Sequence, residues 1–118
     1  TRHSRHQKAT QEGIKAMGLN LFTEEGFGSP AITAVKPENI DAEIIRKTMK
    51  EEFDILLAGG QDHLKGKIFR IGHLGFVNDR DIISVISALE SSLHKMGKLN
   101  VEMGKGIAKT ISVLNNKE

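Results

Sequence analysis

Short apolar runs of two different periods alternate along this 118-residue chain. They predict one α+β domain, a small, mostly antiparallel sheet with helices on one face. Three observations carry that expectation. The strand-like runs are short and separated by loops of hairpin length, too brief for the crossovers that parallel pairing needs. Two stretches repeat apolar residues with helical spacing. The length is that of one ordinary domain with its own core, so residues 1–118 read as a single unit.

Residues 2–18 read as a first helix, with Ala9, Ile14, Ala16 and Met17 as a thin apolar set and Gly18 as its C-cap. That stripe is narrow for a helix that anchors a core, as if the helix packed on something outside the chain. Arg2, His3, Arg5, His6 and Lys8 precede the first acid, Glu12, and no aromatic residue interleaves with them. They read as a solvated helix face and not as a nucleic-acid arm. Leu19, Leu21 and Phe22 alternate with Asn20 as a short strand, which Gly26-Phe27-Gly28-Ser29-Pro30 interrupts. Residues 31–36 are rich in β-branched side chains and stop at Pro37, a second strand.

Asp41 caps a helix to about Phe53, in which Ile44, Ile45, Met49 and Phe53 recur at helical spacing. Residues 54–58 follow as a strand closed by Gly59-Gly60, then a polar loop over 61–66 and a strand over 67–72. Gly72 to Val77 form a glycine-flanked exit. Asn78 or Asp79 caps the strongest helix, with Ile82, Ile86, Leu89, Leu93 and Met96 on one stripe, Ile83 and Val85 widening it, and Gly97 stopping it. This helix is expected to pack on the sheet. Gly104 to Leu114, with Ile107, Ile111 and Leu114, read as a last short helix.

Composition narrows the function classes. The chain has no cysteine, which excludes disulfides, thiolate metal sites and cysteine nucleophiles within it and fits a reducing, cytoplasmic setting. A net charge of +2 is too balanced for a nucleic-acid footprint. No apolar run approaches the roughly 20 residues of a membrane-spanning helix. Opening on Thr1 and not on Met suggests a segment of a longer protein.

Several motifs fail on inspection. Gly60 to Lys67 has five residues between its glycines where a phosphate-binding loop has four, and Ile68 stands where Ser or Thr belongs. Gly72-His73-Leu74-Gly75 has the spacing of a KH-domain loop but leaves a strand instead of joining two helices. The five histidines are scattered, and even His3 with His6 lack a third convergent ligand, so no metal site is expected.

Arg70 is the feature of most consequence. It sits in an apolar strand between Phe69 and Ile71, and a guanidinium cannot shed its charge. Either it faces water on an open sheet face, or it meets a carboxylate or phosphate, for which its planar fork is suited. Spacing alone leaves both open.

The stretch Ala58-Gly59-Gly60-Gln61 through Gly66-Lys67-Ile68-Phe69-Arg70-Ile71-Gly72-His73-Leu74-Gly75 resembles the signature of class V, pyridoxal-phosphate-dependent aminotransferases. Arg2 to His6, Gly18 to Phe22 and Ser29 to Thr33 are similar to the start of that family's C-terminal small domain. The nearest likeness is to alanine–glyoxylate and serine–pyruvate aminotransferases, and to cyanobacterial proteins labelled a soluble hydrogenase subunit. The absence of cysteine argues against a hydrogenase metal centre in this segment. The resemblance implies a homodimer that moves an amino group from alanine or serine to a 2-oxo acid such as glyoxylate or pyruvate. It implies that Arg70 holds the substrate carboxylate. It also implies that the lysine and acid that hold pyridoxal phosphate lie in a large domain outside this chain, so that the segment alone is inactive. The alternative is a free-standing α+β module that binds a small molecule or partner.

Overall fold

Small residues decide how closely two helices can approach, and here they join the first helix to the last. The computed structural model describes residues 2–22, 32–72 and 78–116. Helix α1 (Arg2–Ala16) crosses helix α4 (Lys105–Leu114) at Gly13 and Gly106. A Cβ on Gly13 would lie 2.0 Å from Thr110 Oγ1, and one on Gly106 would lie 3.1 Å from the Gly13 carbonyl oxygen. Neither position accepts a side chain unless its neighbours on the other helix give way. The buried face of α1 is therefore wider than its apolar residues suggest. His6, Ala9, Thr10, Gly13, Ile14 and Met17 all lie inside, at helical spacing, while Ala16 is only half-buried. Thr10 is tolerated there because its hydroxyl donates to the His6 carbonyl at 2.8 Å.

The elements then run β1 (Asn20–Leu21), β2 (Ile32–Lys36), α2 (Ala42–Phe53), β3 (Ala58–Gly59), a 3-10 turn (Asp62–Leu64), β4 (Phe69–Gly72) and α3 (Asp79–Lys95), ending with α4. This is the order the sequence predicts. The strands form one antiparallel sheet in the order β1-β2-β4-β3. Thr33 faces Ile71 and Val35 faces Phe69 across the β2–β4 ladder, and these four side chains are buried. The alternate positions, Ala34 and Arg70, point to the opposite face.

Helix α3 touches all three other helices, and one continuous core joins its Ile82, Ile86, Leu89 and Leu93 to Val35, Phe69 and Ile71 of the sheet. A capping box starts it. Asn78 Oδ1 accepts from the Arg80 amide at 2.9 Å, and Asp81 Oδ2 accepts from the Asn78 amide at 3.1 Å. At its far end Gly97 takes a left-handed φ of 71°.

The strand expected over 54–58 contracts to Ala58–Gly59, and Gly59 lies inside it. Asp54 takes a left-handed φ of 54° to end α2, and the Leu57 carbonyl accepts from Arg46 Nε at 2.8 Å instead of from a strand. The polar loop over 61–66 contains the 3-10 turn, and the next strand begins at Phe69. The glycine-rich break at 26–30 and the exit at 73–77 lie outside the described residues.

Helix α4 has no side-chain cap of its own, since Gly104 is its N-cap and its first turn holds no acid. Both ends are served from elsewhere. Glu90 of α3 is 1% exposed. Its Oε2 accepts from the Gly104 and Gly106 amides and its Oε1 from the Ile107 amide, each at 3.1 Å. A carboxylate at this end also meets the positive pole of the helix dipole. At the other end Arg5 donates to the Leu114 carbonyl while its fork grips Asp79 at 2.7 and 2.9 Å. His6 Nε2 lies 3.2 Å from the same carboxylate.

Replacing Glu90 with Ala leaves three amides without their acceptor and should cost about 2–4 kcal/mol of stability. Glu90→Gln keeps one acceptor oxygen and should fall between, as read from urea midpoints. Asp79 generates a second expectation. Its hydrogen bond to Arg5, aided by His6, draws its pKa down from 3.8 to about 2. A depressed folded-state pKa adds stability that is present above about pH 4 and is lost as pH falls toward 2. In urea titrations at stepped pH, Asp79→Asn should lose stability at neutral pH, and its difference from the parent should shrink between pH 4 and pH 2.

Candidate functional site

The register of the sheet sets the surroundings of Arg70. On the face away from the buried Phe69 and Ile71, its cross-strand neighbours are Ala34 on β2 and Ala58 on β3. Neither methyl group can pair with a guanidinium or cover it. Arg70 Nε donates to the Gly59 carbonyl at 3.0 Å, which fixes the plane of the fork. Among the described residues no carboxylate pairs with it. The side chain is half-buried. Among the described residues the Nε bond to Gly59 is the one hydrogen bond seen for this guanidinium, and a planar fork of this kind has the geometry to pair with a planar anion.

Beside it lies a cleft of about 210 Å³ lined by Gly60, Gln61, Asp62, His63, Leu64 and Arg70. The glycines of the Gly-Gly…Gly-Lys stretch give the cleft its shape. A Cβ on Gly60 would lie 2.3 Å from the Leu64 carbonyl oxygen, so only glycine lets the 3-10 turn fold back on β3. Gly66 takes a φ of 81°, and its carbonyl accepts from the Ala42 amide at 2.9 Å, tying the loop to the start of α2. Behind β3, Glu43 and Arg46 of α2 form an ion pair at 2.6 Å. A Cβ on Gly59 would come within 2.6 Å of that arginine.

Of the two readings of Arg70 left open by its spacing, the register bears on the first, the open sheet face. The side chain is on the sheet face opposite the core, and it stands at a cleft. Sequence spacing does not reveal the two flanking alanines or the wall made by residues 61–64. The strand register supplies the first, and the collision at Gly60 supplies the second. Lys67, next to Gly66, is exposed and does not line the cleft.

Among the described residues the histidines do not converge. His6 is buried against Asp79, His63 is on the cleft turn, and His94 is exposed on α3. The side chain of His3 and the KH-like stretch through His73 lie outside what the structure describes. Among the described residues, no group of three His, Asp or Glu side chains could hold a metal ion.

No family model matches the chain. Individual proteins match it closely. The chain is 54% identical over 114 residues to the soluble hydrogenase small subunit of Synechococcus sp. (strain PCC 6716), covering 97% of this chain and 30% of that protein. It is 36% identical over 119 residues to the (S)-ureidoglycine–glyoxylate transaminase of Bacillus subtilis (strain 168), covering 98% of this chain and 28% of that protein. The crystal structure of ureidoglycine–glyoxylate aminotransferase from Bacillus subtilis superposes with a TM-score of 0.88 at 35% identity, over 98% of this chain and 30% of that one. The chain thus spans about 30% of the length of the relatives it matches. Within that span, in sequence and in fold, the homologues of this chain are class V aminotransferases.

Proposed function

We propose that this chain is the C-terminal small domain of a pyridoxal-phosphate-dependent aminotransferase and that Arg70 is its substrate-carboxylate clamp. The observation that carries the reading is the state of the guanidinium. It is oriented by the Gly59 carbonyl, flanked by alanines and free of any carboxylate among the described residues. A bidentate pair with a substrate carboxylate satisfies the fork and sets the angle at which the rest of a small molecule projects. Alanine or serine as donor, and glyoxylate or pyruvate as acceptor, suit the modest size of the cleft.

The described residues do not form a cradle for pyridoxal phosphate. A lysine that forms a Schiff base is activated by desolvation or a neighbouring cation. Every lysine whose burial is described is exposed. We therefore assign the cofactor, and the chemistry it supplies as an electron sink, to the part of the protein outside this chain. That part includes the large domain on which this one would pack. A homodimer in the cytoplasm is the assembly the reading implies. Among the described residues no helix is long and apolar enough to cross a membrane.

In the intact protein, Arg70→Lys replaces a fork by a point charge. It should raise the KM for the amino acid by about ten- to a hundredfold, the value of a charge-assisted bidentate contact. Steady-state kinetics with alanine and serine would show it, and an unchanged KM would sink the clamp. The 118-residue chain mixed with pyridoxal phosphate should give no stoichiometric Schiff-base absorbance band, whereas a saturable band at one equivalent would move the cofactor lysine into this domain.

A further inference from the structure

Two charges of opposite sign line the cleft. Arg70 stands on β4, and Asp62 stands on the 3-10 turn that contributes the rest of the lining. The turn is fixed by its own backbone. Leu64 N donates to the Gln61 carbonyl at 2.9 Å, Lys65 N to the Asp62 carbonyl at 3.2 Å, and Lys67 N to the Leu64 carbonyl at 2.9 Å. Gly60 presses against the same turn. Asp62 takes a left-handed φ of 52°, which few side chains other than Asn and Asp accept. Neither Asp62 nor Arg70 has an ion-pair partner among the described residues, and the two are not paired with each other. Both charges therefore act on whatever enters the cleft.

We propose that Asp62 is a specificity-determining residue that turns away ligands carrying a second carboxylate. The inference rests on the reading of Arg70 as the carboxylate clamp and names the substrate class that the clamp serves. A monocarboxylic 2-oxo acid meets attraction from Arg70 and offers Asp62 nothing to repel. A four-carbon dicarboxylic acid has to bring its second anion into the space that Asp62 lines. Like charges a few ångströms apart at a protein surface shift a preference by about tenfold after screening. Gln61 and His63 can hydrogen-bond to a ligand but supply no fixed negative charge. Lys65 and Lys67 follow the turn without lining the cleft.

The test compares glyoxylate with oxaloacetate as amino acceptors for the intact protein and reads the ratio of their kcat/KM values. Asp62→Asn and Asp62→Gly both accept the left-handed backbone and remove the charge, and Asp62→Lys reverses it. The preference for glyoxylate should fall about tenfold in both neutral variants and further in the lysine variant. A merely structural role would lower both rates together and leave the ratio in place. A ratio unmoved across all three Asp62 variants would overturn the proposal. Arg70→Lys isolates the reading beneath it. Loss of kcat/KM for both acceptors in that variant upholds the clamp whatever Asp62 does, and no loss removes the clamp and the proposal with it.

Discussion

The buried carboxylate of Glu90 is the contact on which the helical layer depends. A carboxylate removed from water is tolerable only when donors replace its hydration, and three amides of α4 do so. The same contact solves the converse problem for α4, whose first turn carries Lys105 and no acid. Arg5 repeats the arrangement at the other end, with Asp79 balancing its charge. Between these two polar ties, Gly13 and Gly106 let α1 and α4 close to backbone distance. The layer so formed shares its core with Val35, Phe69 and Ile71, and that core decides which face of the sheet Arg70 can occupy.

Arg70 is thus placed by apolar residues that do not touch the cleft. Phe69 and Ile71 face inward because they are bulky and apolar, and the two-residue period of a strand then turns the residue between them outward. The cleft owes its wall to a different constraint, the absence of a side chain at Gly60. A strand fixes the cation and a folded-back turn fixes the wall, so the site is set by backbone geometry more than by side-chain packing.

Much of this was legible in the sequence, and for identifiable reasons. Among the described residues the helices and strands follow in the predicted order because the periods of 3.6 and 2 residues are local properties of a chain. Arg70 drew notice because a permanent charge in an apolar strand is costly unless explained. What escaped was non-local. The buried face of α1 is hidden among His6, Thr10 and Gly13, whose burial is permitted only by partners distant in sequence. Residues 54–57 have strand-like composition, yet the left-handed turn at Asp54 and the Arg46 hydrogen bond take the place of ladder pairing. The alanines beside Arg70 follow from register, which periodicity alone does not set.

The borrowed caps of α4 also bear on how the domain comes into being. A ten-residue helix is marginal in water by itself, and this one lacks the end groups that would nucleate it. Its caps come from Glu90 and from Arg5, the latter 109 residues away from Leu114 along the chain. Closing so long a loop is entropically slow, and it yields little until both caps are in position. The last helix is therefore capped at both ends only once α1 has closed onto α3 and α4. Without that closure Gly13 and Met17 on α1 lose the helix they rest against, and the surface they share is left open to wrong partners.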